Sequence, residues 1–183
     1  AAGGASDAPQ AGRGAPAAGS GQGGAAGPGQ GRGGRGSGRW HWDTPIVISP
    51  HSTRRIYVAG ERVYRSDDRG DSWVATSGDL TRNLDPAEIP IMGKVWPRDS
   101  VAFNQATTVL STITTLDESP LLADLMYVGT FDGVVQVTED GGKTWRKAET
   151  FPGLPEHTAV TDVCASMRDA NTVYATFNNY QRG

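Results

Sequence analysis

Carboxylates, arginines and tryptophans are the side chains of this 183-residue chain that could carry chemistry. Asp117, Glu118, Asp132 and Asp162 fall in loops or at strand ends. Two carboxylates facing one glycosidic bond, about 5 to 9.5 Å apart, would hydrolyse it. Asp132, however, precedes Gly133, and that pair reads as a hairpin turn. The other three read equally well as turn or surface residues, so no catalytic residue is assigned. Trp96 with Arg98 and Asp99 would make a patch that stacks on a sugar or engages a peptide. The plainer alternative is that Trp96 pins its own loop. His41, His51 and His157 are scattered without metal-ligand spacing. Asp67, Asp68 and Asp71 lack the calcium-loop pattern with its terminal glutamate. No metal or other cofactor is expected.

The most informative residues are structural. Ser66, Asp68, Gly70, Ser72 and Trp73 recur as Thr138, Asp140, Gly142, Thr144 and Trp145, in the shared pattern [ST]-x-D-x-G-x-[ST]-W. Ordinary residue usage makes such a match on the order of 10⁻⁶ per position, so two copies are not coincidence. The aspartate accepts hydrogen bonds from N–H groups two or three residues on and holds a tight turn. The glycine takes the positive φ such a turn needs. The second hydroxyl bonds back across the turn, and the tryptophan opens the outgoing strand with a buried ring.

This octapeptide resembles the Asp box, or BNR repeat, of sialidases, xyloglucan-type glycoside hydrolases and sortilin-type receptors. The resemblance implies a hairpin between the third and fourth strands of a β-propeller blade, a folding device and not an active site. A longer run supports it: Trp42-x-x-Pro45-Ile46-x-x-Ser49-Pro50-His51, Ile56-Tyr57-x-x-Gly60, Tyr64-Arg65-Ser66 leading into the first box, and Asp79-Leu80-Thr81. That run is similar to large bacterial BNR-repeat proteins described as sortilin-like or as glycosyl hydrolases. The resemblance covers about residues 40–183 and implies an extracytoplasmic, secreted or periplasmic, setting. Sialidase chemistry would need an arginine triad, a tyrosine nucleophile with a glutamate, and an acid–base aspartate. Arg62, Arg65, Arg98 and Arg146 are present, but no motif assigns them to a triad. Arg65 and Arg146 read as cover for sheet edges.

The elements around the boxes read as short strands between turn signals. Strands are expected near 46–49, 55–60, 62–66 and 73–76, making a first four-stranded unit over about 43–78. A second unit over about 108–150 has strands near 110–115, 125–130, 133–138 and 145–148. The start of a third, over about 158–183, has strands near 160–166 and 172–177. Tyr57, Tyr127 and Tyr174 mark the repeat, 70 and then 47 residues apart. A blade takes about 40 to 50 residues, so the first interval carries an insertion of roughly 20 to 25. It is placed at about 79–107, with a helical turn over 86–89 and a short helix over 99–106. Long loops on rigid scaffolds concentrate binding, which makes this the expected ligand region.

Residues 1–38 contain 15 of the 25 glycines and are otherwise mostly Ala, Gln, Pro, Ser and Arg. Such a segment buries too little apolar area to offset its ordering entropy and is expected to be a disordered linker. As a flexible coil it would span about 35 Å. Gly29-x-Gly31-x-x-Gly34 follows no strand and opens no helix, so it is no dinucleotide site. Residues 32–36 have too few arginines, and no aromatics, for a nucleic-acid segment. A net charge of −3 and a pI of about 5.6 give no electrostatic footprint for nucleic acid. No apolar run approaches the roughly 18 residues of a membrane span. No signal peptide is visible, and the lone Cys164 is expected to be a small core residue.

The fold expected is therefore all-β, a partial β-propeller of about two and a half four-stranded antiparallel blades. Propellers close with about four to eight blades, so the remaining blades of a longer polypeptide are expected partners. The function expected is binding of a peptide or carbohydrate ligand. The alternative is a glycoside hydrolase whose catalytic residues lie partly outside this segment.

Overall fold

The computed structural model describes residues 38–101, 103 and 110–179. All but the last residue of the Gly/Ala-rich segment, and half of the helix expected over 99–106, lie outside these residues. Among the described residues there is no helix, and the chain forms three antiparallel sheets. Sheet one contains β1 (Ile46–Ile48), β2 (Ile56–Ala59), β3 (Val63–Ser66) and β4 (Val74–Ala75) in that order. Sheet two contains β5 (Ile113–Glu118), β6 (Met126–Thr130), β7 (Val135–Thr138) and β8 (Arg146–Ala148), also in chain order. Sheet three pairs β9 (Ala159–Ala165) with β10 (Val173–Asn178). β5 begins three residues later than the sequence reading placed it. Thr112 O accepts from Phe131 N–H and Ser111 Oγ from Leu84 N–H.

Side-chain alternation fixes how the sheets stack. In sheet one Val47, Tyr57, Ala59 and Val63 share a face, and they pack against Ile113, Leu116, Met126 and Val128 of sheet two. On the other face of sheet two, Leu125, Tyr127, Val135 and Val137 meet Val160, Val163, Ala165, Val173, Ala175 and Phe177. Sheet two is thus covered on both sides, and every residue of β6 is buried. β2 and β10, each with one covered face, alternate instead. Burying side chains such as Tyr57, Ile113 and Met126 is worth about 1.5 to 3 kcal/mol each.

Two devices bring β9 close. A Cβ on Gly129 would lie 2.4 Å from Val160 Cγ1, so only glycine lets the strands approach. The side chains of β5 also bond the backbone of β9. Thr114 Oγ1 donates to Val160 O at 2.6 Å, while Thr115 Oγ1 and Asp117 Oδ2 accept from Val163 N–H and Ala165 N–H.

Cys164 corrects the sequence expectation: it is exposed. Val163 and Ala165 take the inward positions of β9, and the alternation turns Cys164 to the face that no sheet covers.

The turns segregate to two ends. At one end lie the octapeptides and the loops 49–55, 119–125 and 166–172. Arg69 N–H donates to Arg54 O there, and Gly141 N–H to Asp124 O. At the opposite end lie residues 38–45, the β2–β3 and β6–β7 turns, the described part of the connection from β4 to β5, and the connection from β8 to β9. No helix among the described residues is long and apolar enough to cross a membrane.

Candidate functional site

The two octapeptides adopt one hydrogen-bonded shape. Ser66 Oγ donates to Asp68 Oδ1 at 2.7 Å and accepts Gly70 N–H at 2.7 Å. Asp68 then accepts Ser72 N–H at 2.9 Å on Oδ1 and the Ser72 hydroxyl at 2.5 Å on Oδ2. Thr138, Asp140, Gly142 and Thr144 repeat each bond, at 2.8, 2.9, 2.9 and 2.6 Å. The bonds to Ser72 and Thr144 span four residues, one or two more than the turn read from the sequence. Both indole N–H groups close the motif, Trp73 Nε1 on Gly70 O and Trp145 Nε1 on Gly142 O, each at 3.0 Å. These bonds hold the Asp68 carboxyl down at about 2, the Ser72 hydroxyl contributing most, and hold Asp140 lower still.

One expectation fails at Trp73. Its ring is 39% exposed, while Trp145 packs against the core between sheets one and two. The difference follows from position. A Cβ on Gly142 would stand 2.7 Å from Thr76 O, so the second hairpin lies against sheet one, whereas the first has only Trp73 near its glycine. The hydroxyls of Ser66, Ser72, Thr138 and Thr144 and the carboxylates of Asp68 and Asp140 are thus spent on the turns.

The opposite end is held by groups that local spacing does not reveal. Asp132 is fully buried, and accepts Thr130 Oγ1 at 2.5 Å and Arg82 N–H at 2.8 Å. Burial pushes its carboxyl up, against the pull of Thr130, Ser111 and Arg82. The Arg82 guanidinium donates to the carbonyls of Asp132, Gly133 and Glu149, tying the insertion to sheet two and to the β8–β9 connection. Arg39 does the same for the N-terminal stretch, reaching Ser111 O at 2.8 Å, Asp79 Oδ2 at 2.5 Å and Thr81 Oγ1 at 3.1 Å. The insertion itself seats Leu84 and Ile89 against Leu110, Phe131 and Ala159.

On this platform the aromatics are presented. His41 stacks on Trp42 at 5.8 Å and meets the tilted ring of Phe131 at 5.5 Å. Its Nδ1 accepts Asp43 N–H, burial holds its pKa down, and its Nε2 is buried without a partner among the described residues. Trp42 is 82% exposed, the most exposed of the large aromatics among the described residues. Trp96 donates Nε1–H to Ile91 O at 3.1 Å, with Lys94 Nζ 4.6 Å above its ring. Arg98 is engaged in an ion pair with Asp85, and Asp99 is exposed. Trp96, Arg98 and Asp99 therefore share a loop, but Trp96 and Arg98 are each committed to other partners within it. A cleft lined by Gly133, Glu149, Phe151, Leu154 and His157 lies at the same end. Its volume of about 50 Å³ holds a few waters and excludes a sugar ring.

The four candidate carboxylates divide. Glu118 is buried between sheets one and two, where Oε1 accepts the Tyr57 hydroxyl and Asp124 N–H. Asp132 sits in the β6–β7 turn as read for Asp132-Gly133 but is buried there, and Glu118 is not the turn or surface residue the sequence implied. Asp117 is half-buried and Asp162 exposed, and each bonds across the β5–β9 junction: Asp117 to Ala165 N–H and Asp162 to the Thr115 hydroxyl. Burial, and more weakly Asp162 and Glu118, raise the Asp117 carboxyl, opposed by N–H donors. Arg65 and Arg146 pair with Asp67 and Glu139 beside their octapeptides.

Residues the sequence reading passed over include Arg82 and Arg39, whose partners lie 22 to 72 positions away and leave no local signal. Thr130-x-Asp132 did leave one. It has the spacing of Ser66-x-Asp68, and its hydroxyl likewise accepts an N–H four residues on, from Val134. No protein-family model and no curated protein matches the chain.

Proposed function

We propose that the chain is part of an Asp-box β-propeller, sortilin-like in kind, that binds a peptide or glycan at the end opposite its octapeptides. The propeller reading is supported by two octapeptides of one shape and by sheets that stack in chain order with the same face forward. The binding reading is carried by one observation: the exposed Trp42, the Trp96 loop and the inter-sheet connections gather at a single rigid end, away from the turns. Long loops and aromatic rings on a fixed scaffold are the usual makings of a recognition surface. An extracytoplasmic setting follows from the family resemblance. The hydrolase alternative draws only on Asp117 and Asp162, since Glu118 and Asp132 are out of reach of any substrate.

Peptide and glycan arrays probed with the 183-residue chain test this. Binding is expected on one of the two, and loss of at least tenfold in affinity with Trp42→Ala or Trp96→Ala. No binding on either array, or binding indifferent to both substitutions, would refute the reading.

A further inference from the structure

Arg39 and Trp40 join no strand, yet side chains from three other parts of the chain grip them. The Arg39 guanidinium donates through Nε to Ser111 O at 2.8 Å, and through Nη2 to Asp79 Oδ2 at 2.5 Å and Thr81 Oγ1 at 3.1 Å. Its backbone N–H donates to Glu61 Oε2 at 2.6 Å. The Trp40 ring stacks on Tyr64, with centroids 5.5 Å apart and planes 19° from parallel. Gly60 makes the room: a Cβ there would lie 2.5 Å from Arg39 O and 3.1 Å from the Trp40 ring. The groups that hold the dipeptide are also fixed by one another. Asp79 Oδ1 accepts the Thr81 N–H and hydroxyl, so Oδ2 is the oxygen that takes the guanidinium. Glu61 is buried, its Oε1 engaged by Arg62 and its carbonyl by Leu80 N–H. A Cβ on Gly38 would come within 3.1 Å of Glu61 Oε2, so a glycine ahead of the arginine fits best.

We propose that Gly60, Glu61, Tyr64, Asp79, Thr81 and Ser111 form a docking site for a Gly-Arg-aromatic peptide of another protein, and that Arg39–Trp40 is the occupant this chain supplies in cis. A segment held by side chains and not by strand pairing exchanges for another of the same chemistry. Arginine is required because its planar fork reaches Ser111 O and Asp79 Oδ2 together, which an ammonium cannot do. A tethered occupant acts at an effective concentration on the order of millimolar, so an outside peptide enters only in competition with it. Trp42 and Trp96, which carry the ligand reading above, are not part of this site.

Calorimetric titration of the full 183-residue chain with the peptide acetyl-Gly-Ser-Gly-Arg-Trp-amide tests it. The variant carrying both Arg39→Ala and Trp40→Ala, its fold checked by circular dichroism, is expected to bind one peptide at least about tenfold more tightly than the unaltered chain does. Adding Asp79→Ala to that variant, or replacing the peptide's arginine by lysine, is expected to weaken binding by about tenfold or more. A folded double variant that binds no peptide would overturn the proposal, as would equal affinity for the variant and the unaltered chain, or for the arginine and lysine peptides. So would loss of the fold in the double variant, which would make Arg39 and Trp40 a fixed part of the structure and not an exchangeable occupant.

Discussion

Tyr57 and Glu118 meet across the gap between sheets one and two, hydroxyl to Oε1 at 3.3 Å, with both side chains buried. Burial, and then the Glu118 carboxylate, push the phenol up to about 12, so it stays protonated and donates. A sialidase-type tyrosine–glutamate pair would need access to substrate, and this pair has none; its work is to join two sheets. Tyr57→Phe is expected to cost about 1 to 2 kcal/mol in chemical denaturation, the value of a buried hydrogen bond to a charged partner whose other bond remains. A double-mutant cycle with Glu118→Gln should give a coupling of about 1 kcal/mol or more. Additive effects would show that the pair does not join the sheets.

Gly70 and Gly142 hold the same turn position at φ of 100° and 98°, but in different surroundings. Alanine at Gly70 meets only strain, about 1 to 2 kcal/mol. At Gly142 the new methyl would also press on Thr76 O. Gly142→Ala is therefore expected to cost at least about 3 kcal/mol, with a backbone shift between sheets one and two. Equal urea midpoints for the two variants would contradict this.

Acid should loosen the octapeptide turns. Asp68 and Asp140 have folded pKa values depressed below the unfolded value, so their stabilisation is full above about pH 4 and fades as pH falls toward 2 and below. Asp132 runs the other way: its carboxyl is raised by burial, so its charged form opposes folding at neutral pH and that opposition eases on protonation. Amide protection factors at Gly70, Ser72, Gly142 and Thr144, taken relative to the intrinsic exchange rate at each pH, are expected to fall between pH 4 and 2. Asp68→Asn should abolish that pH dependence at Gly70 and Ser72 alone. Protection unchanged across this range would count against a charge-held turn.

Arg82 is expected to be the most sensitive residue of the insertion. Arg82→Ala removes donors from three carbonyls and leaves Asp132 buried with less compensation, a loss of about 2 to 4 kcal/mol. Arg82→Lys should recover only part of it, because an ammonium cannot span the same fork of acceptors. Full recovery by lysine, seen in thermal melts, would show that charge alone matters at this position.

Much of the strand architecture was legible because its causes are local. Turn signals between short runs placed nine of the ten strands within two residues, and β5 began three residues later than read. Ser66, Asp68, Gly70 and Ser72 could be read as a turn because every bond they make spans four residues or fewer. What the sequence could not settle was which faces are covered. Trp73 and Trp145 are the same letter in the same motif, yet one ring is exposed and the other packed, because only the second hairpin has sheet one beside it. Cys164 and Glu118 swapped their expected environments for the same reason: burial depends on the neighbouring sheet, and that neighbour is chosen by contacts such as Arg82 to Glu149 O and Gly129 to Val160, far apart along the chain.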